Sequence, residues 1–223
     1  MDRPRAKRET RRKTAAPPKR WNAVDRKKHI ILEAARLFAM KGFDATSMRE
    51  VAGRTGVLAG SLYYYFESKE QLFLEVHTEG MKVLSKNVDE AIKELSDPWD
   101  KLEAAAIAHC RALVEEREML MLVVPTLPVT LAPYREELVR QRDEYEKKFA
   151  QIIAECDLPD RINRDVLRLH LLGALNWTQV WYRPGTKLSI DEVARQIVRS
   201  LQPCANETTA LPEASGKTAG KTH

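Results

Sequence analysis

From Asp25 to Leu201 apolar residues return every third or fourth position, segment after segment, and no run alternates with a period of two. A side chain facing a core from a 3.6-residue helix recurs at that spacing, whereas a half-buried strand needs strict alternation. The chain is therefore predicted to be all-α. Capping residues cut the periodic sequence into about nine helices. Asp25 is read as the N-cap of the first, with Ile30, Ile31, Ala34, Ala35 and Phe38 on one stripe and Gly42 at its end. Ser47 and Glu50 have capping-box spacing and open a short second helix closed by Gly56. A third covers Leu58 to Phe66. Ser68 to Gln71 has box spacing again and starts a long fourth helix reaching about Leu95. Asp97-Pro98 starts a fifth, carrying Leu102, Ala105, Ala106, His109 and Leu113. After an apolar, proline-broken stretch over 119–133, a charged helix covers Tyr134 to Glu155. Asn163 caps an apolar helix to Trp181, and Ser189 with Glu192 opens the last.

Composition narrows the function classes. Twelve Lys and Arg against three acids in residues 1–28 give that end a charge of +9, leaving −4 on the remainder of a chain with net +5. A basic arm on a mildly acidic body suits a polyanion docking at the N-terminal end; the alternative is a tail that only aids solubility. Residues 1–22 read as a disordered basic arm and 203–223 as a second low-complexity tail. The longest apolar stretch, Met119 to Pro133, is broken by Pro125 and Pro128 and falls short of the roughly 18 residues a bilayer requires, so no membrane span is expected. The charged N-terminus has no apolar core of a secretory signal. The three cysteines, Cys110, Cys156 and Cys204, show neither CxxC nor Cys/His spacing, which fits a reducing cytoplasm. The five histidines lack metal-ligand spacing, and no HExxH, GxSxG, P-loop or GxGxxG occurs. No enzyme activity, metal or cofactor is expected.

Three short helices over 25–66 with a glycine turn at Thr55-Gly56-Val57 form a helix-turn-helix candidate. The run IILEAARLFAMKGFDATSMREVAGRTGVLAGSLYYYFESKEQLF (30–73) resembles the N-terminal DNA-binding domain of TetR-family repressors without a gap. On that resemblance the third helix is the recognition helix, with Leu58, Ala59, Gly60 and Ser61 at its start in the major groove. Gly60 has no Cβ and lets the backbone come close to a base or phosphate; Ser61 can bond either, and Leu58 and Ala59 suit a thymine methyl. No Arg, Asn or Gln lies in 57–62, where family members often carry a polar or basic residue. The resemblance gives the hydroxyls of Tyr63 and Tyr64 to phosphates and turns Leu62 and Phe66 inward; aromatic core filler is the alternative for both tyrosines. It also gives Lys69 to a phosphate, at a helix start whose amides carry partial positive charge. Thr46 and Ser47 either cap the second helix or contact phosphate, and Arg49 is either a DNA contact or a solvated arginine. Arg20, Arg26, Lys27 and Lys28 suit phosphates or the minor groove.

The family's second domain is a helical ligand-binding and dimerisation unit, which fits residues 76–202 behind a DNA-binding domain at 23–75. The segment LLGALNWTQVWYRPGTKLSIDEVA (171–194) resembles a TetR subgroup that includes regulators of fatty-acid and sterol catabolism, several responding to acyl-CoA thioesters. Trp177 and Trp181, four residues apart, pack either in the dimer interface and core or against an acyl chain. Leu113, Met119, Met121 and Leu122 are candidate pocket lining, the methionines suiting variable filling. Arg183 pairs with a ligand phosphate or carboxylate, or else satisfies helix carbonyls. His109 is read as a hydrogen-bonded core histidine.

The resemblance thus implies a cytoplasmic, homodimeric, ligand-released repressor of a catabolic operon, binding palindromic operator DNA with half-sites about one helical turn apart. Its small-molecule effector would be a fatty acyl-CoA or related CoA thioester. The alternatives are a TetR-like repressor sensing a drug or aromatic compound, and a helical ligand-binding protein with weak DNA specificity.

Overall fold

The computed structural model describes residues 22–120 and 129–202, without the side chains of 129 and 130. Among the described residues there are nine α-helices and no strand: α1 (Ala23–Lys41), α2 (Met48–Thr55), α3 (Ala59–Tyr65), α4 (Lys69–Ile92), α5 (Pro98–Glu115), α6 (Arg117–Leu120), α7 (Arg135–Glu155), α8 (Arg164–Trp181) and α9 (Ile190–Arg199). A 3₁₀ turn, Val129–Tyr134, leads into α7.

The caps explain most boundaries, with three departures from the sequence reading. The N-cap of α1 is Asn22, not Asp25: its side-chain oxygen accepts from the Asp25 amide at 2.8 Å, so Asp25 lies in the first turn as a dipole-compatible acid. α4 ends at Ile92, one turn short of Leu95. At α4 and α9 only half of each box forms. Ser68 and Ser189 accept from the amides of Gln71 and Glu192, but Gln71 reaches the Glu67 amide, and Glu192 pairs with Arg195 and Gln196. At α2 both halves of the box are present, closed by Gly56 in the left-handed conformation (φ +68°) that only glycine adopts without strain.

Two apolar cores share α4. The first gathers Ile30, Ala34 and Phe38 of α1, Val51 of α2, Leu62 of α3, Phe66, and Leu72 and Val76 of α4. Phe38, Phe43 and Phe73 meet in it with ring centroids 5.2–5.7 Å apart. Met119 of α6, Leu131 of the 3₁₀ turn and Leu138 of α7 complete it, so the C-terminal half of the chain helps to build the N-terminal core. The second core holds Leu84 and Val88 of α4 with Leu102, Leu113, Phe149, Ile153, Leu171, Leu175 and Val198 of α5, α7, α8 and α9. Each buried Leu, Ile or Phe contributes roughly 1.5–3 kcal/mol over exposure. α4 therefore runs unbroken across the boundary read at residue 75 and ties any tilt of the upper bundle to the helix-turn-helix.

Candidate nucleic-acid interface and effector domain

α3 is seven residues long and presents one face inward. Leu62 and Phe66, four apart, are fully buried and anchor it; Tyr65 is half-buried against the same core. The remaining positions point to solvent: Tyr64 is 87% exposed, Leu58 79% and Tyr63 54%, and Ala59, Gly60 and Ser61 are exposed as well. The inward Leu62 and Phe66 and outward Tyr63 and Tyr64 agree with the sequence reading. Arg49, on α2 beside this face, is exposed and has no ion pair among the described residues. Leu58, the N-cap, makes no side-chain cap.

Thr46, Ser47 and Lys69 have partners within the protein, capping being one of the two roles read for Ser47. Thr46 is buried, and its hydroxyl donates to the Gly42 carbonyl at 2.8 Å, neither capping α2 nor facing solvent. Ser47 caps α2, exchanging bonds with Glu50. Lys69, read from sequence as a phosphate contact, is bonded within the protein. Its ammonium donates to the carbonyls of Phe43 (2.9 Å), Thr46 (2.9 Å) and Asp44 (3.3 Å), and lies 4.3 Å from the Phe43 ring centroid. Three donors on three acceptors leave the ammonium no free proton, and the cation–π contact adds to its hold on the α1–α2 loop.

Sequence reading missed an ion-pair chain that ties α1 to its neighbours. Glu33, nine-tenths buried at the side chain, accepts from Arg36 and from Arg54 of α2, and Arg36 also reaches Glu118 of α6. Burial alone would raise the Glu33 carboxyl, but the hydrogen bonds from Arg54 and Arg36 outweigh it and hold it below the ordinary carboxylate range. The signal was present: Glu33 lies three residues after Ile30, on the buried face of α1, where an acid needs a partner. The chain links α2, α1 and α6 by charge.

Among the described residues, the expected ligand residues do not gather at one site. Leu113 is packed in the second core, while Met119 belongs to the first. Met121 and Leu122 lie outside the described residues. Trp177 and Trp181 are neither core nor enclosed: with Val166, Leu169 and Val180 they form an exposed apolar stripe along α8, Trp177 being 63% exposed. Arg183 donates to the carbonyls of Val180 and Tyr182 and so closes the end of α8, the commoner of the two roles considered for it. His109 is a buried core histidine bridging three helices. Its Nε2 donates to Asn176 of α8 at 3.1 Å and its Nδ1 accepts from the Tyr145 hydroxyl of α7 at 2.7 Å. Burial without a charged partner brings its pKa down to about 4. The wall of an open groove of about 730 Å³ between α4 and α7 includes Tyr145, Met81, Thr78 and Gln141. The groove's cations are already paired: Lys82 with Glu79, Arg140 with Glu137 and Glu144, and Lys148 with Asp89.

This helix-turn-helix, with its anchored third helix and its long fourth helix shared with an α-helical bundle, defines a DNA-binding regulator. The family model described as "Bacterial regulatory proteins, tetR family" matches residues 30–76, and that described as "Tetracyclin repressor-like, C-terminal domain" matches 95–202. The chain belongs to the TetR family of DNA-binding transcriptional regulators; its relatives are regulators and not enzymes. A TetR/AcrR-family regulator of known structure from Thermobifida fusca is 30% identical, covering 78% of this chain and 95% of that one with a TM-score of 0.59. The HTH-type transcriptional repressor KstR2 of Mycolicibacterium smegmatis is 29% identical over 187 residues, covering 81% of this chain and 91% of the relative. The fold also matches AibR in complex with isovaleryl coenzyme A and operator DNA, at 21% identity and a TM-score of 0.67, over 79% of this chain and 97% of that one.

Proposed function

We propose that the chain is a homodimeric repressor of a catabolic operon, released from operator DNA by a fatty acyl-CoA or related CoA thioester. The observation that carries the reading is the α2–α3 face, where Tyr63, Tyr64, Ser61 and Arg49 are exposed and their polar side-chain groups make no hydrogen bond or ion pair among the described residues, and where α3 is fixed from below by Leu62 and Phe66. Arg49 and the two tyrosine hydroxyls take phosphates; residues 58–61 meet base edges. Lys69 and Thr46 act indirectly, by holding the loop that sets α2. The similarity to KstR2 supports repression, and the AibR complex supports a CoA thioester as effector.

The α8 stripe supports a homodimer. Val166, Leu169, Trp177 and Val180 recur every three, eight and three residues along one exposed face, which suits a second copy packing helix against helix. An effector acts through its unequal affinity for two arrangements of the dimer, one of which spaces the α3 helices to match the half-sites.

The test is fluorescence anisotropy on the DNA upstream of the protein's own gene, with and without long-chain acyl-CoA. Tight, salt-sensitive binding at two protomers per palindrome, relieved by acyl-CoA, is the expected result. Binding that ignores acyl-CoA removes the effector class and keeps the regulator. Failure to retain any DNA in a genomic selection removes the regulator reading.

A further inference from the structure

Resting on the regulator reading, we propose that Leu58 reads a thymine methyl in each operator half-site and that Gly60 leaves the room for α3 to close onto it. Two separate observations meet here. The first is chemical. Residues 57–66 read Val-Leu-Ala-Gly-Ser-Leu-Tyr-Tyr-Tyr-Phe, with no Arg, Lys, Asn or Gln, so the bidentate contacts that select guanine or adenine cannot come from this helix. What its leading end offers is the isobutyl group of Leu58, 79% exposed, beside the exposed methyl of Ala59. The one apolar group on the major-groove edge of a base pair is the thymine C5-methyl.

The second observation is steric. Gly60 lies inside α3, where glycine is the poorest helix former after proline. It does not have a positive φ, and a Cβ built on it meets no atom within 4 Å. Neither backbone conformation nor internal packing requires glycine there. The space that its missing side chain leaves open lies outside the protein, on the same exposed end of α3 as Leu58.

The experiment begins with operators recovered from genomic fragments by the full-length protein. Each dT in the recovered site is then replaced singly by dU, which removes the methyl and keeps the base pair. One dT per half-site is expected to weaken binding about fourfold when replaced, and about fifteenfold when both half-sites are changed. Leu58→Ala loses a similar amount on the unmodified operator and no longer distinguishes dT from dU. Gly60→Ala raises the thermal midpoint while weakening binding to every operator, a combination that a folding defect cannot produce. If no dT replacement matters, the proposal falls and the regulator stands; this arm uses the unaltered protein, so folding of a variant does not enter. If Leu58→Ala keeps the dU penalty, another residue reads the methyl and the Leu58 assignment is overturned. If no DNA is recovered, the regulator reading falls and takes this one with it.

Discussion

The two ends of α4 depart from residue type in the same way. Around its start, polar side chains of the helix-turn-helix turn inward, Thr46 and Lys69 to backbone carbonyls and Glu33 to two arginines, while Leu58 and Tyr64 stand in solvent. In the bundle around its other end, His109 and Tyr145 are buried and bonded together with the half-buried Asn176, Leu113 is sealed among apolar neighbours, and two tryptophans lie outside on α8. In both places the residue type told less about its role than the surface beneath it. On the proposed function, the outward apolar groups at the N-terminal end meet DNA; the inward polar groups fix the framework.

The largest effect that tests this parallel is expected at Leu113. As pocket lining it would tolerate truncation; as a fully buried member of the second core, Leu113→Ala leaves a cavity and costs about 3–4 kcal/mol. Urea unfolding of the variant measures it. A loss below about 1 kcal/mol would return Leu113 to a pocket wall and break the parallel.

His109 supplies the next effect, and its sign is fixed by the direction of its shift. It titrates near 4 in the fold against 6.5 for the free side chain, so the unfolded chain takes up the proton first. Its stabilisation is complete above about pH 6.5 and is lost as pH falls towards 4, by about 2–3 kcal/mol at the lower end. His77, buried against Gln141 and also shifted down, adds in the same direction. Urea midpoints at pH 7.5 and pH 5 are therefore expected to differ, and His109→Gln to remove part of the difference. An unchanged pH dependence in that variant would mean that His109 is hydrated in solution and the bundle core is less sealed than its burial implies.

What could be read from the sequence divides along the same line. Ser47, Glu50 and Gly56 announce α2 and its turn because capping and left-handed backbone are local requirements, met or missed within four residues. The inward Leu62 and Phe66 follow from helical period alone. Lys69 is different: an ammonium satisfies a phosphate or three carbonyls equally well, and the carbonyls of 43, 44 and 46 come within reach only after α1, α2 and α4 have packed. The same holds in the bundle. α8 is apolar nearly all round, so period does not say which side meets α5 and α7; Leu171, Leu175 and Thr178 take that side, leaving Trp177 and Trp181 outside.

Lys69 also gives the smallest of these effects and the one that separates holding from contacting most cleanly. Lys69→Ala removes hydrogen bonds to a partly exposed loop and a contact with Phe43, which is expected to cost about 1–2 kcal/mol of stability. Operator affinity should fall with it, because α2 and the start of α3 lose a support. The slope of log affinity against log salt should not change, since no phosphate loses a partner. A lysine that contacted DNA directly would give the opposite pattern, with stability nearly intact and the slope flattened by about one unit. Arg49→Ala is the matching control on the exposed side of α2, where the slope is expected to flatten and stability to hold. Should the two variants exchange patterns, polar groups at this end of α4 would face outward after all, and the parallel between the two ends would be lost.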